Sequence, residues 1–111
     1  MNPKIDTDGT KRRYVAGKLH CEDGPAIESA NGSKYWYIDD RRHREDGPAV
    51  ERDDGTKFWY IAGKRHREDG PAIEEADGTR VWYLNDQEQT MNHKDPRWHI
   101  LVAKIRRLNE S

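Results

Sequence analysis

Short runs of alternating apolar and charged residues recur along the chain, each broken by an Asp-Gly or Asn-Gly pair. Gly9, Gly32, Gly55 and Gly78 follow Asp8, Asn31, Asp54 and Asp77 at a constant spacing of 23 residues. Such pairs between β-type runs are a strong hairpin signal, because a type I′ turn needs positive φ at both central residues. Four hairpins are predicted, over 3–15, 25–38, 48–61 and 71–84, which makes about eight strands. Pro25, Pro48 and Pro71 open the incoming strands, where no ladder donor is required. A two-residue turn at Asp54-Gly55 sets Val50 opposite Trp59 and Ala49 opposite Tyr60. Alternation then predicts a core face of Ile27, Val50 and Ile73 with Trp36, Trp59, Trp82, Ile38, Ile61 and Leu84. The other face takes Tyr14, Tyr37, Tyr60, Tyr83, Tyr35 and Phe58 together with Glu28, Glu51 and Glu74.

Between the hairpins a second motif keeps the same period. His66-Arg67-Glu68-Asp69-Gly70-Pro71-Ala72 repeats His43 to Ala49, and in weaker form His20 to Ala26. Near-copies at one spacing indicate a repeat array. The first hairpin departs from the rule: Arg12 and Arg13 stand where the third copy has Phe58 and Trp59, and Cys21 stands at the position of Arg44 and Arg67. The cysteine reads as drift between copies. After Leu84 the pattern dissolves, with Gln89 to Asn92 in place of His66 to Asp69. Asp95-Pro96 then supplies an N-cap and a first-turn proline, predicting a helix over 95–109. Its stripe of Trp98, Leu101, Val102, Ile105 and Leu108 needs an apolar partner, and the Trp and Ile face is the large one available. The expectation is a mainly β chain: a single antiparallel meander of about four 23-residue hairpin repeats (1–92), with one C-terminal α-helix (93–111) packed on the sheet or on a second copy.

Only 32% of residues are hydrophobic and 37% are charged, a composition that leans toward disorder. Four Trp and five Tyr at regular positions argue the other way, since each buries a large area. The predicted core is thin and aromatic. Twenty basic against 21 acidic residues give no electrostatic case for dedicated DNA binding. The single cysteine suits a reducing, cytoplasmic setting, and no apolar run is long enough for a signal peptide or membrane span.

The unit Trp59 to Ala72, reading Trp-Tyr-Ile-Ala-Gly-Lys-Arg-His-Arg-Glu-Asp-Gly-Pro-Ala, resembles a variant of the MORN-type repeat found in phage and large-virus proteins. The resemblance spans residues 3 to about 86. It implies a meandering antiparallel sheet, an intracellular setting, and a binding or assembly role without catalysis. The Gly-x-Gly opening of that family is missing here, so a lipid-binding role is not implied.

The recurring histidines suggest a metal site, but equivalent residues of adjacent copies lie roughly 10 Å apart, too far to share zinc. A structural role, with a ring nitrogen bonded to Asp or a loop carbonyl, is the expectation. Glu28, Glu51 and Glu74 are flanked by Lys34, Lys57 and Arg80, which points to cross-strand charge pairing. No Ser-His-Asp order, phosphate loop or Cys-His cluster supports catalysis, and no cofactor is implied. Tyr14, Tyr37, Tyr60 and Tyr83, with Phe58 and the arginines Arg42, Arg44, Arg65 and Arg67, form the candidate binding set. One reading is a non-enzymatic, phage-encoded module that docks on a host defence protein. The alternative is a binder that sequesters a small nucleotide signal by stacking and phosphate contacts. A sheet of eight strands is roughly 35–40 Å wide, whereas fifteen helical residues span about 22 Å. The uncovered apolar face predicts a homodimer through Trp98, Leu101, Ile105 and Leu108.

Overall fold

The computed structural model describes residues 2–110. Its strands are short: β1 (Lys4–Ile5), β2 (Lys11–Arg12), β3 (Tyr14–Val15), β4 (Lys18–Leu19), β5 (Ile27–Glu28), β6 (Lys34–Tyr35), β7 (Tyr37–Ile38) and β8 (Arg41–Arg42). There follow β9 (Val50–Glu51), β10 (Lys57–Phe58), β11 (Tyr60–Ile61), β12 (Lys64–Arg65), β13 (Ile73–Glu74), β14 (Arg80–Leu84) and β15 (Gln87–Gln89). The helix α1 spans Pro96–Glu110. The chain is thus an antiparallel hairpin meander closed by one helix, as the periodicity predicts. It has about twice the predicted number of strands, because each copy holds two hairpins.

Those strands lie in two parallel rows. The first runs β1-β2-β5-β6-β9-β10-β13-β14, each pair antiparallel, with β15 added beyond β14. The second is built from the hairpins β3-β4, β7-β8, β11-β12 and β14-β15. Backbone bonds join these hairpins to one another: Arg44 N–H donates to Tyr60 O at 3.1 Å, and Gly63 N–H to Arg42 O at 2.9 Å. Trp36 and Trp59 sit where one strand passes between the rows. Trp59 N–H donates to Ala72 O at 2.8 Å in the first row, and its carbonyl accepts from His66 N–H at 3.1 Å in the second.

The turn chemistry differs from the prediction, with consequences for the faces. The loop after Glu51 has three residues, closed by Arg52 N–H to Thr56 O at 2.9 Å, and among its residues only Gly55 has positive φ (93°). Asp54 stays at negative φ because its carboxylate accepts from Thr56 N–H, also at 2.9 Å, an Asx-type closure. The two-residue turns with positive φ at both centres are Ala16-Gly17, Asp39-Asp40, Ala62-Gly63 and Asn85-Asp86. The extra loop residue moves Val50 from opposite Trp59 to opposite Phe58. Ile27, Val50 and Ile73 therefore share a face with Tyr35, Phe58 and the tyrosines, while Glu28, Glu51 and Glu74 join the tryptophans. The predicted grouping is corrected on both counts.

On the tryptophan side, Lys11, Glu28, Lys34, Glu51, Lys57, Glu74 and Arg80 succeed one another across the first row. The charges alternate in sign from strand to strand, which favours this register over its neighbours. Ala26, Ala49 and Ala72 are fully buried at the crossing between rows. The largest buried cluster lies at the C-terminal end, where Leu84, Trp98 and Val102 pack with Trp82, Met91, Leu101 and Ile105. Asp95 caps the helix as predicted: its Oδ1 accepts from Arg97 N–H at 2.9 Å, with Pro96 in the first turn.

Candidate functional site

The candidate binding residues divide between the two faces. On the tryptophan side, the guanidinium carbons of Arg44 and Arg67 lie over Trp36 and Trp59, each 3.9 Å from the ring centroid. Arg67 also donates to Glu74 at 2.7 Å, to Pro71 O at 3.0 Å and to Asp69 at 3.1 Å. Arg44 makes the same set with Glu51, Pro48 O and Asp46. Both guanidiniums are committed to holding the repeat together. In the first copy Arg13 comes from the tryptophan position and donates to Pro25 O at 3.3 Å and Glu28 at 2.6 Å. Arg13 thus supplies from the strand the guanidinium that Arg44 and Arg67 supply from the loop, and Cys21 stands at the loop position that no longer provides it. Burial pushes the Cys21 thiol up, as does its bond to Asp23, which opposes thiolate chemistry.

The histidines link consecutive copies. Nδ1 of His20, His43 and His66 accepts from the backbone N–H of Asp39, Ala62 and Asn85, at 3.1, 2.9 and 3.0 Å. The predicted structural role stands, although the partner is the N–H of the next two-residue turn. A second link passed unnoticed in the sequence. Thr10, Ser33 and Thr56 are buried, and their hydroxyls accept from Ala30, Asp53 and Ala76 N–H one copy on. Its signal was present as Thr or Ser after each turn glycine. Among the described residues no group of three or more His, Cys, Asp or Glu is placed to hold a metal ion.

The opposite face carries Tyr14, Tyr37, Tyr60, Tyr83 and Phe58 with Arg42 and Arg65. Arg42 pairs with Tyr37 and Arg65 with Tyr60 across the second row. Each guanidinium also reaches the next tyrosine, Arg42 at 5.5 Å from the Tyr60 centroid and Arg65 at 4.2 Å from that of Tyr83. Lys4 covers Tyr14 at 5.4 Å, and Arg52 covers Phe58 at 4.8 Å. The result is a half-exposed ladder in which aromatic rings and cations alternate.

Comparison of the chain with protein-family models, curated proteins and solved structures finds no match.

A groove of about 940 Å³ separates the third copy from the helix, with Trp59, Ile61, Arg67, His99, Val102 and Arg106 in its walls. Its charges are paired internally. Arg106 Nε donates to Glu68 at 2.9 Å, and His66 Nε2 lies 3.0 Å from the same carboxylate. Partial burial raises the Glu68 carboxyl, but Arg106 and His66 outweigh it and hold the group below its ordinary range. Of the helix residues assigned to a dimer interface, Trp98 is wholly buried in its own chain and donates to Glu68 O at 2.6 Å. Leu101 and Ile105 pack on the same cluster, and Leu108 is exposed. Among the described residues no helix is long and apolar enough to cross a membrane.

Proposed function

We propose that the protein is a non-enzymatic binding module that engages an acidic surface of a partner protein through its tyrosine and arginine face. The observation that carries this reading is the division of the arginines. Those over tryptophan are consumed by internal bonds, whereas on the tyrosine side Arg65 is held by Asp86 and Arg42 lies against a ring at the surface with no carboxylate partner among the described residues. Cations held in place by aromatic rings lose little side-chain freedom on binding an anion. The likeness of residues 59–72 to repeats of phage and large-virus proteins supports a host partner, a defence factor among them, met in the cytoplasm. A nucleotide-sequestering role has less support: Tyr14, Tyr60 and Tyr83 already carry a cation over the ring that a base would stack on.

Copurification from the native host followed by hydrogen-exchange mapping tests the reading. Protection is expected at residues 35–42 and 58–65, with complex formation weakening steeply as salt rises. Protection confined to the tryptophan side or the helix would refute it. A thermal shift with nucleotides at large excess would favour the sequestering alternative.

A further inference from the structure

Arg65 is neutralised within its own ladder: Asp86, the second residue of the next two-residue turn, accepts from Arg65 Nε at 2.8 Å and from its backbone N–H at 3.3 Å. Asp40 occupies the same turn position one copy earlier and accepts from Leu19 N–H at 2.7 Å. Between them, the turn facing Arg42 is Ala62-Gly63, and glycine brings no carboxylate. Arg42 is half-buried, its Nε donates to Tyr37 Oη at 3.3 Å, and its guanidinium carbon is 5.5 Å from the Tyr60 ring centroid. Among the described residues no carboxylate comes within 4 Å of it, and its side-chain partners are the hydroxyls of Tyr37 and Tyr60, which leave its charge unneutralised. One step along the same strand face, Arg52 lies over Phe58, again with no carboxylate within 4 Å among the described residues. The corresponding positions in other copies are Asp6, Ser29 and Glu75, so this second cation belongs to the middle of the array alone.

We infer that Arg42 and Arg52, seated on Tyr60 and Phe58, form a carboxylate-binding site for an extended acidic segment of a partner protein. The spacing argues for a peptide. Phe58 ends β10 and Tyr60 begins β11, alternate residues of one extended run, so the ring positions that carry the two cations are about 7 Å apart along it. Carboxylates on alternate residues of an extended peptide have the same separation. A lone phosphate would need the two guanidiniums to converge on one point. The site rests on the acidic-partner reading above and assigns it to particular residues.

Gly63→Asp is the decisive variant. It would place a carboxylate where Asp86 holds Arg65. It should also fold, because Asp40 and Asp86 adopt the same positive φ (66° and 68° against 82° for Gly63), and the nearest atom to an added Cβ is Arg41 Cβ at an ordinary 3.7 Å. Binding of a fluorescein-labelled peptide alternating Glu and Gly is read by anisotropy at low salt, with circular dichroism confirming that each variant is folded. Gly63→Asp, Arg42→Gln and Arg52→Gln are each expected to weaken binding about tenfold, the loss of one charge-assisted contact. Arg41→Gln removes the same charge as Arg42→Gln from the opposite face and should leave affinity unchanged. If all four variants weaken binding alike, the site falls while the acidic-partner reading survives. If the unaltered protein does not bind the peptide, both fall. Displacement of the peptide by inorganic phosphate or ATP, abolished in Gly63→Asp, would overturn the peptide assignment in favour of a phosphate site.

Discussion

Gly47 and Gly70 are set by a neighbour and not by their own backbone, since neither has positive φ. A Cβ built on Gly70 would stand 2.8 Å from the Arg67 guanidinium carbon, and one on Gly47 3.0 Å from that of Arg44. The guanidinium can swing away, but only by leaving its stack on tryptophan and its bond to glutamate. Gly70→Ala should therefore cost about 1–2 kcal/mol, part of a stacking contact and a charged hydrogen bond. Gly24, in the copy where Arg13 approaches from elsewhere, has nothing within 4 Å of its Cβ site. Gly24→Ala should be neutral or stabilise by about 0.5 kcal/mol through the unfolded chain. Urea midpoints of the two variants check this, and equal losses would show that the guanidinium contact is not the cause.

At the scale of elements, turns and helix are closed by carboxylates that receive backbone N–H groups. Asp8, Asp54 and Asp77 are held below the ordinary carboxylate range by the N–H groups of Thr10, Thr56 and Thr79. Asp95 is lowered to about 2 by Arg97, through its side chain and its N–H. A depressed folded pKa means stability that is fully present above the unfolded value near 4 and lost as pH falls through the folded one. The urea midpoint should thus hold from neutrality to about pH 5 and fall below pH 4, with hydrogen exchange showing turn and helix-start amides opening first. Asp54→Asn keeps the acceptor without the charge, as Asn31 does naturally, and should make the acid loss shallower. An unchanged acid limb in that variant would remove the turn carboxylates from the account. The helix depends on one residue more than on its length. Trp98→Ala should cost about 3–5 kcal/mol, since it empties the centre of the C-terminal cluster. In a repeat array the damage stays local: amides of 96–110 should lose protection while those of 26–51 keep theirs.

Over the whole molecule, the extents of 49 × 37 × 18 Å describe a slab with little depth. Its stability comes from copy-to-copy contacts, with a two-layer core only where the helix lies on the last hairpin. An uncovered apolar face of tryptophan and isoleucine is what would call for a second copy. That face is covered over Trp36 and Trp59 by Arg44 and Arg67, and over Trp82 by His93, which accepts from the indole N–H at 3.0 Å. The large apolar side chains that remain exposed include Ile5, Val15, Ile100 and Leu108, spread along the chain and forming no stripe that matches the helix prediction. A mass of 13.0 kDa at tens of micromolar is the expected result of sedimentation equilibrium. Twice that mass, reduced to the monomer by Leu108→Asp, would restore the helix as an interface.

The sequence alone determined what depends on a few consecutive residues. The 23-residue period, the places where the chain turns, and the helix start at Asp95-Pro96 are all local hydrogen-bond and dihedral preferences. Tertiary structure decided what depends on counting across a loop and on choosing among like partners. One residue more in the loop at 53–55 reversed which side Val50 and Glu51 face, because side chains alternate with a period of two. Arg42, Arg44, Arg65 and Arg67 look alike in sequence, and only the fold sends two of them to tryptophan and two to tyrosine. Of the latter pair, Arg65 meets the carboxylate of Asp86 while Arg42 meets Gly63, a difference of one turn residue a copy away. The buried hydroxyls of Thr10, Ser33 and Thr56 escaped notice for the same reason: their partners lie 20 residues on, and a small polar residue after a glycine turn is ordinary until that partner is in place.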